Sequence, residues 1–192
     1  MLRSAVVVRD AVPDDVDALR EVFAGAAGPV VDETPGEAAS AVASIAADPD
    51  RRLLVALLDG RVAGAAQLVR TSLSPLQAAS AVHVIHLHVL DDCRRHGVGT
   101  ALMEATVSWA EEKDTPHVLA AAAVGSRDAN RFMARLGLGQ VAVVRAASVA
   151  TLRAKLPVEP PAICMTDNRH HRMVGQVLAR RRSMRRAQTK PS

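Results

Sequence analysis

The stretch from Val82 to Lys113 constrains this chain most. Val82-His83-Val84-Ile85-His86-Leu87-His88-Val89-Leu90 is a run of β-branched and apolar residues punctuated by histidines, the composition of a central strand. It passes through Asp91-Asp92-Cys93-Arg94-Arg95-His96-Gly97-Val98-Gly99 into Thr100 to Lys113, where Leu102, Met103, Val107 and Ala110 recur at helical spacing. A strand that runs through a basic, glycine-containing turn into a helix suits anion binding. The first N–H groups of the helix lack internal partners and carry the positive end of its dipole, and glycine lets a phosphate approach closely. The same turn also reads as a plain strand-to-helix connection that needs a flexible backbone. It is not a P-loop, which ends in Gly-Lys-Ser/Thr, and Leu102 stands where a dinucleotide fingerprint needs its third glycine.

The surrounding pattern predicts one sheet. Ala5 to Arg9 reads as a strand, and Pro13 with two aspartates opens a helix through Val16, Leu19, Val22 and Phe23. A loop holding Asp32 and Glu33 follows, then a second helix from Thr34 to Ala47. Leu53–Leu58 and Val62–Val69 flank Asp59-Gly60, a hairpin signal, and Ser72 to Ala79 reads as a loop. Val118–Val124 is a further strand, Ser126 caps a helix that Gly137 ends, and Gln140–Ala147 is the last strand. The expected class is α/β (α+β), with a mixed, mostly antiparallel sheet flanked by helices. The expected division is a domain over residues 1–156 and a Pro-containing linker with a basic, helical tail over residues 157–192. With 2% aromatic residues and no tyrosine, the interior must be packed by Ala, Val and Leu.

Charge is distributed unevenly. Residues 159–192 carry eight Lys/Arg against Glu159 and Asp167, a surplus of six within an overall +4, so residues 1–158 sum to −2. A neutral-to-acidic body with a basic tail points to an interaction segment rather than a nucleic-acid-binding domain. In Arg169 to Arg186, Met173/Val177 and Val174/Leu178 form an apolar stripe with arginines at one end. Such a helix suits RNA, an anionic surface or an acidic protein partner, or docks on its own domain. Cys93 and Cys164 show neither metal-ligand nor disulfide-rich spacing, and no secretory or membrane-spanning segment is evident, so the chain reads as cytoplasmic.

Arg94, Gly97 and Gly99 match the Arg/Gln-x-x-Gly-x-Gly/Ala pattern at the start of a long helix, and Phe132-Met133-Ala134-Arg135-Leu136-Gly137-Leu138 lies where a second pattern should be. By these two motifs the chain resembles the GNAT superfamily of acyl-CoA-dependent N-acyltransferases over roughly residues 5–150. The resemblance implies acetyl-CoA as co-substrate. Arg94, Arg95, His96, Gly97, Val98, Gly99 and Thr100 would surround its pyrophosphate, main-chain groups of Leu87 and Val89 would pair with the pantetheine arm, and the Val89 amide would polarise the thioester carbonyl. It also implies a contact from Asn130 to the pantetheine region; as a plain residue Asn130 equally reads as a solvent-facing helix polar group. Met133 replaces the tyrosine that in many members protonates the leaving thiolate, and Ser126 stands where many have Asn.

Attack by a primary amine on a thioester needs a base, and His83 occupies the position, eleven residues before Arg94, where several relatives have a glutamate. His86 is the second choice. By strand alternation His83 shares a face with Ile85 and Leu87, opposite His86 and His88, unless a bulge intervenes. A metal site from these histidines is not expected, and Asp32/Glu33 reads either as an attractor for a cationic acceptor or as a solvated pair. Two functions compete: direct acetyl transfer to a small-molecule or protein amine in a ternary complex, and a catalytically weak acyl-CoA-binding module that uses its tail to hold RNA, an anionic surface or a protein. GNAT relatives often dimerise, so a homodimer is also carried as a partner.

Overall fold

The Asp59-Gly60 turn sets the sheet's first firm register. Both residues adopt left-handed backbone, with φ of 51° and 83°, the type I′ geometry that matches the twist of a two-residue hairpin. It joins β2 (Arg51–Leu58) to β3 (Arg61–Ser74) with Leu58 opposite Arg61. The computed structural model describes residues 5–24, 36–74, 76–122 and 125–156. β1 (Val6–Asp10), β4 (Gln77–Val89) and β5 (His117–Ala120) complete a five-stranded sheet in the order β1-β2-β3-β4-β5. All pairs are antiparallel except β4 with β5, which are parallel.

Helices cover both faces. α3 (Val98–Glu112) lays Leu102, Met103, Trp109 and Ala110 on one face against Leu54, Ala56, Ala66, Leu68, Val82 and Val84. Leu19 and Val22 of α1 (Val16–Phe23) and Val42 of α2 (Glu37–Ala46) pack on the other against Val55 and Ala65. Nearly all these side chains are aliphatic, as the scarcity of aromatic residues required. α4 (Arg127–Arg135) starts at Ser126, whose hydroxyl accepts from the Ala129 N–H at 3.3 Å. It ends in a Schellman motif: Gly137, at φ 84°, donates to the Ala134 carbonyl and Leu138 to that of Met133.

Three expectations are corrected. Ser72 to Ala79 is not wholly loop, since β3 and β4 continue their pairing out to Ser74 and Gln77; that extension is held by the backbone ladder without an apolar face to announce it. No strand forms at Gln140–Ala147. Val118–Val124 shortens to β5, with residues 123–124 outside the described range. Residues up to Val141 form one compact unit, and those from Ala142 onward belong to a second, whose described part contains α5 (Val149–Lys155), capped by Ser148. The Asp32/Glu33 loop, Cys164 and the basic tail lie outside the described residues. Among the described residues no helix is long and apolar enough to cross a membrane.

The start of α1 is pinned by one buried carboxylate. Asp15 accepts from Arg9 Nη1 and Nη2 at 2.6 and 2.8 Å and from the Val12 N–H at 2.8 Å. The Arg9 hydrogen bonds, helped by the Val12 amide and Arg9's charge, outweigh burial and hold the Asp15 carboxyl below its ordinary range. A depressed folded-state pKa adds stability above the unfolded pKa of about 3.9, which is lost as pH falls through the lower folded value. Asp15→Asn is therefore expected to cost about 1–3 kcal/mol at pH 7. Urea melts should show that deficit shrinking as pH falls from about 3.9, where the unfolded chain takes up the proton, toward the lower pKa of the folded carboxyl.

Candidate active site

A single extra residue organises the site. Across β3, Leu68 faces Val84 but Gln67 faces His86, so Ile85 is inserted as a β-bulge. Upstream of it Val82 and Val84 point into the α3 core; downstream Leu87 and Val89 do. The bulge exchanges the faces midway along β4. His83, His86 and His88 pair with Val69, Gln67 and Ala65. Residues directly opposite in a ladder share a face, so all three histidines lie on the side packed by α1. Simple alternation had set His83 apart from the other two, and the bulge overturns that.

The bulge also turns the backbone. The Leu90 N–H donates to the Ala63 carbonyl at 2.9 Å, so His88, two residues earlier, faces β3 as well, and the N–H groups of Leu87 and Val89 face away from it. On that side β5 pairs with β4 only from Ala81 to Val84, with the Ala121 N–H closing on the Val84 carbonyl at 3.0 Å. Beyond Val84 the two strands part, and the edge of β4 from Ile85 to Val89 has no strand beside it among the described residues.

That open edge leads to the glycine turn. After a 3-10 turn (Asp91–Cys93), Arg95 adopts φ 66° and Gly97 φ 86°. A non-glycine residue held in this region marks a turn fixed by its surroundings at some energetic cost. α3 has no side-chain cap, and its first internal bond is Ala101 N–H to the Gly97 carbonyl at 2.9 Å. The amides of Val98, Gly99 and Thr100 thus precede the helical ladder at the positive end of a 15-residue helix. Arg94, Arg95 and His96 are exposed around it, Arg94 pairing with Asp91 at 2.7 Å. A Cβ on Gly97 would meet nothing within 4 Å, whereas one on Gly99 would lie 3.3 Å from the Phe132 ring. Gly97 serves the turn, and Gly99 serves the close packing of α3 on α4.

Phe23 at the end of α1 stands edge-on to His88 and His86, with ring centroids 5.5 and 6.2 Å away. Burial, then the nearby His86 and Arg94, lowers the pKa of the His88 imidazole. His83 is half-buried and its Nε2 is buried without a hydrogen-bond partner. A buried polar atom left unpaired is uncommon and points to a water or ligand group in the functional state. Among the described residues no group of three or more His, Cys, Asp or Glu is placed to hold a metal. Burial, with Asp92, raises the Cys93 thiol pKa and disfavours its thiolate. Arg61 bridges Glu21 at 2.7 Å and Asp92 at 3.1 Å, tying α1 to the turn.

Against known proteins, the family model of GNAT acetyltransferases matches residues 16–138. The chain belongs to this GNAT family. No curated protein matches it. The GNAT fold recurs in a transcriptional regulator from Bacillus halodurans, with a TM-score of 0.66 and 19% identity over 75% of this chain and 99% of that one. It recurs in glucosamine-6-phosphate N-acetyltransferase from Arabidopsis thaliana, with a TM-score of 0.64 and 14% identity over 76% and 99%. An aminoglycoside N-acetyltransferase in complex with CoA gives a TM-score of 0.61 and 14% identity over 76% and 95%.

Within this GNAT domain the expected residues divide into two groups. His83, Leu87, Val89 and the turn from Arg94 to Thr100 lie along one strand and the helix start that follows it. Asn130 donates its side-chain amide to the Ser126 carbonyl at 2.7 Å, which bonds it to the first turn of its own helix. Met133 is buried. A cavity of about 310 Å³ bordered by Asp10, Arg52, Trp109 and Glu112 sits by the far end of α3, roughly 20 Å from the glycine turn, and shares none of these residues.

Sequence reading passed over Gly64. It pairs with Val89 in β3, and a Cβ there would lie 2.7 Å from the His88 carbonyl oxygen and 3.0 Å from Val98 Cγ1. Only a bare α-carbon lets Val98, 1% exposed, seat the first turn of α3 on β4. A lone glycine in a strand is the available signal. Gly64→Ala is expected to cost about 1–3 kcal/mol, and calorimetry should show the melting temperature falling by roughly 2–4 °C per kcal/mol.

Proposed function

We propose that this protein is an N-acetyltransferase that carries an acetyl group from acetyl-CoA directly to a primary amine in a ternary complex. The observation that supports it most is the continuity of three features on one segment: the buried, unpartnered His83 Nε2, the open edge of β4, and the uncapped, positive start of α3. The open edge has the form to take an extended amide-bearing arm as an added strand, and the helix start has the form to take a pyrophosphate. Acetyl-CoA bound there supplies an activated thioester carbonyl.

The chain's own groups then have distinct tasks. Amides from Arg95 to Thr100, with the Arg94 and Arg95 side chains, neutralise the pyrophosphate. The Leu87 and Val89 N–H groups pair with the pantetheine arm. Of these two, Leu87 is nearer His83 by two residues, so the carbonyl oxygen is assigned to the Leu87 amide rather than to that of Val89. Four residues of strand span roughly 13 Å, a gap divided among the His83 side chain, the acyl group with its incoming amine and one water, through which His83 Nε2 takes the amine proton. Phe23, Gln67, His86 and His88 border the acceptor on the α1 side.

The leaving thiolate gains no tyrosine proton, since none exists in the chain and Met133 is buried where that residue would stand. A thiol pKa of about 8.5 lets it depart and take a proton from water. The raised pKa of Cys93 favours direct attack over an acyl-cysteine route at that residue. A primary amine as acceptor is supported by the fold's recurrence in proteins named as N-acetyltransferases of glucosamine-6-phosphate and of aminoglycosides.

The test is a panel of primary amines with acetyl-CoA, following thiol release. Turnover is expected with at least one amine, and His83→Gln should lower kcat by about 10²–10⁴-fold, with His86→Gln having a smaller effect. Saturable binding of acetyl-CoA without turnover by any amine would favour the binding-module reading.

A further inference from the structure

We infer that the cavity at the far end of α3 is a second ligand site, which takes a free α-amino acid with an apolar side chain. Its place follows from where the two helical layers stop. α2 and α3 cover opposite faces of the sheet, and the last turns of both border the cavity, α2 through Ile45 and Ala46, α3 through Trp109 and Glu112. Between them lies the margin where β1 ends at Asp10 and β2 begins at Arg51. Neither His83 nor any residue of the open β4 edge or the glycine turn lines this cavity, so the proposed acetyl transfer leaves it unused. Its volume of about 310 Å³ is at the lower end of the range for small-molecule sites, which suits a compact ligand.

The wall and the rim ask for different chemistry. Val42, Ile45 and Trp109 are buried, and with Leu53 they give the cavity an apolar wall that suits a hydrocarbon or aromatic side chain. Charges of both signs stand around it. Asp10 is already committed, accepting from Arg52 Nε and Nη2 at 2.8 and 2.7 Å, and the Arg52 guanidinium lies 5.9 Å from the Trp109 ring centroid. Asp48 accepts only a backbone bond, from the Asp50 N–H at 2.9 Å, and Arg51, Glu112 and Lys113 form no ion pair among the described residues. The α2 side of the rim thus offers Asp48 with Arg51, and the α3 side Glu112 with Lys113.

A ligand with a single charge would leave one sign of this rim unmatched. An α-amino acid carries an ammonium and a carboxylate on one carbon, with its side chain as a third arm. The ammonium is favoured by Asp48 and Glu112 and by the two helix C-termini, whose dipoles attract a cation. The carboxylate goes to Arg51 and Lys113, and the side chain to the apolar wall. The end of a peptide brings only one of the two charges and matches less of the rim.

Trp109 is the only tryptophan in a chain without tyrosine, so intrinsic fluorescence reads this cavity and no other place. Titration of the full chain with leucine, without acetyl-CoA, should give a saturable change in Trp109 emission in the millimolar range or tighter. 4-Methylpentanoate, which lacks the ammonium, and leucine methyl ester, which lacks the carboxylate, should each bind at least about tenfold more weakly. Ala46→Leu fills the cavity from an exposed position with a residue that favours helix, and should lose the response while the chain still melts cooperatively. No emission change with leucine, an equal response to either analogue, or a response that survives Ala46→Leu would overturn the inference.

Discussion

The extra residue in β4 is the constraint on which the site depends. Without the bulge at Ile85, Leu87 and Val89 would face α1 and present their amides to β3. With it, their side chains complete the α3 core while their N–H groups look out over the gap where β5 has turned away. The same inserted residue gathers His83, His86 and His88 on one face. One local departure from pairing thus makes the strand a core element, an open edge and a row of titratable groups.

Electrostatics and packing divide the labour at the turn that follows. Positive backbone and side chains converge at the start of α3, and Asp91 and Asp92 temper them through Arg94 and Arg61. Close packing holds the geometry: Gly64 admits Val98, Gly99 admits Phe132, and the Arg61 bridge to Glu21 and Asp92 links the turn to α1. The bare α-carbons under and within the turn serve placement, while Gly97 alone is required for the left-handed backbone at the helix start. Proximity to a ligand is set by where the helix is seated, and the seat lies in β3.

The legible parts of the sequence were those with a local cause. The Asp59-Gly60 hairpin, the Ser126 cap, the Gly137 stop and the strand-turn-helix around Arg94 each follow from a residue whose backbone or side-chain chemistry acts within a few positions. The bulge was not legible, because a run of valine, isoleucine, leucine and histidine reads as strand in either register and only the partner strand shows the slip. Gly64 was passed over for the same reason, since its role belongs to Val98 and His88, which lie far along the chain. The β3–β4 extension past Thr71 was hidden by the absence of an apolar face. The composition of 140–147 predicts a strand and none forms there, since β propensity alone does not supply a pairing partner.

The proposed function requires the start of α3 and the open edge of β4 together to hold acetyl-CoA. Its most direct test is calorimetric titration of the full chain with acetyl-CoA, beside Gly97→Glu and Gly97→Asn. A Cβ at Gly97 enters open space, but φ 86° strains any side chain there; asparagine tolerates left-handed backbone best and so controls for that strain, while the glutamate adds the charge that meets the ligand. Saturable one-to-one binding by the wild type is expected, largely kept by Gly97→Asn and weakened at least about tenfold by Gly97→Glu in a chain that still melts cooperatively. No binding by the wild type, or equal binding by all three, would contradict it.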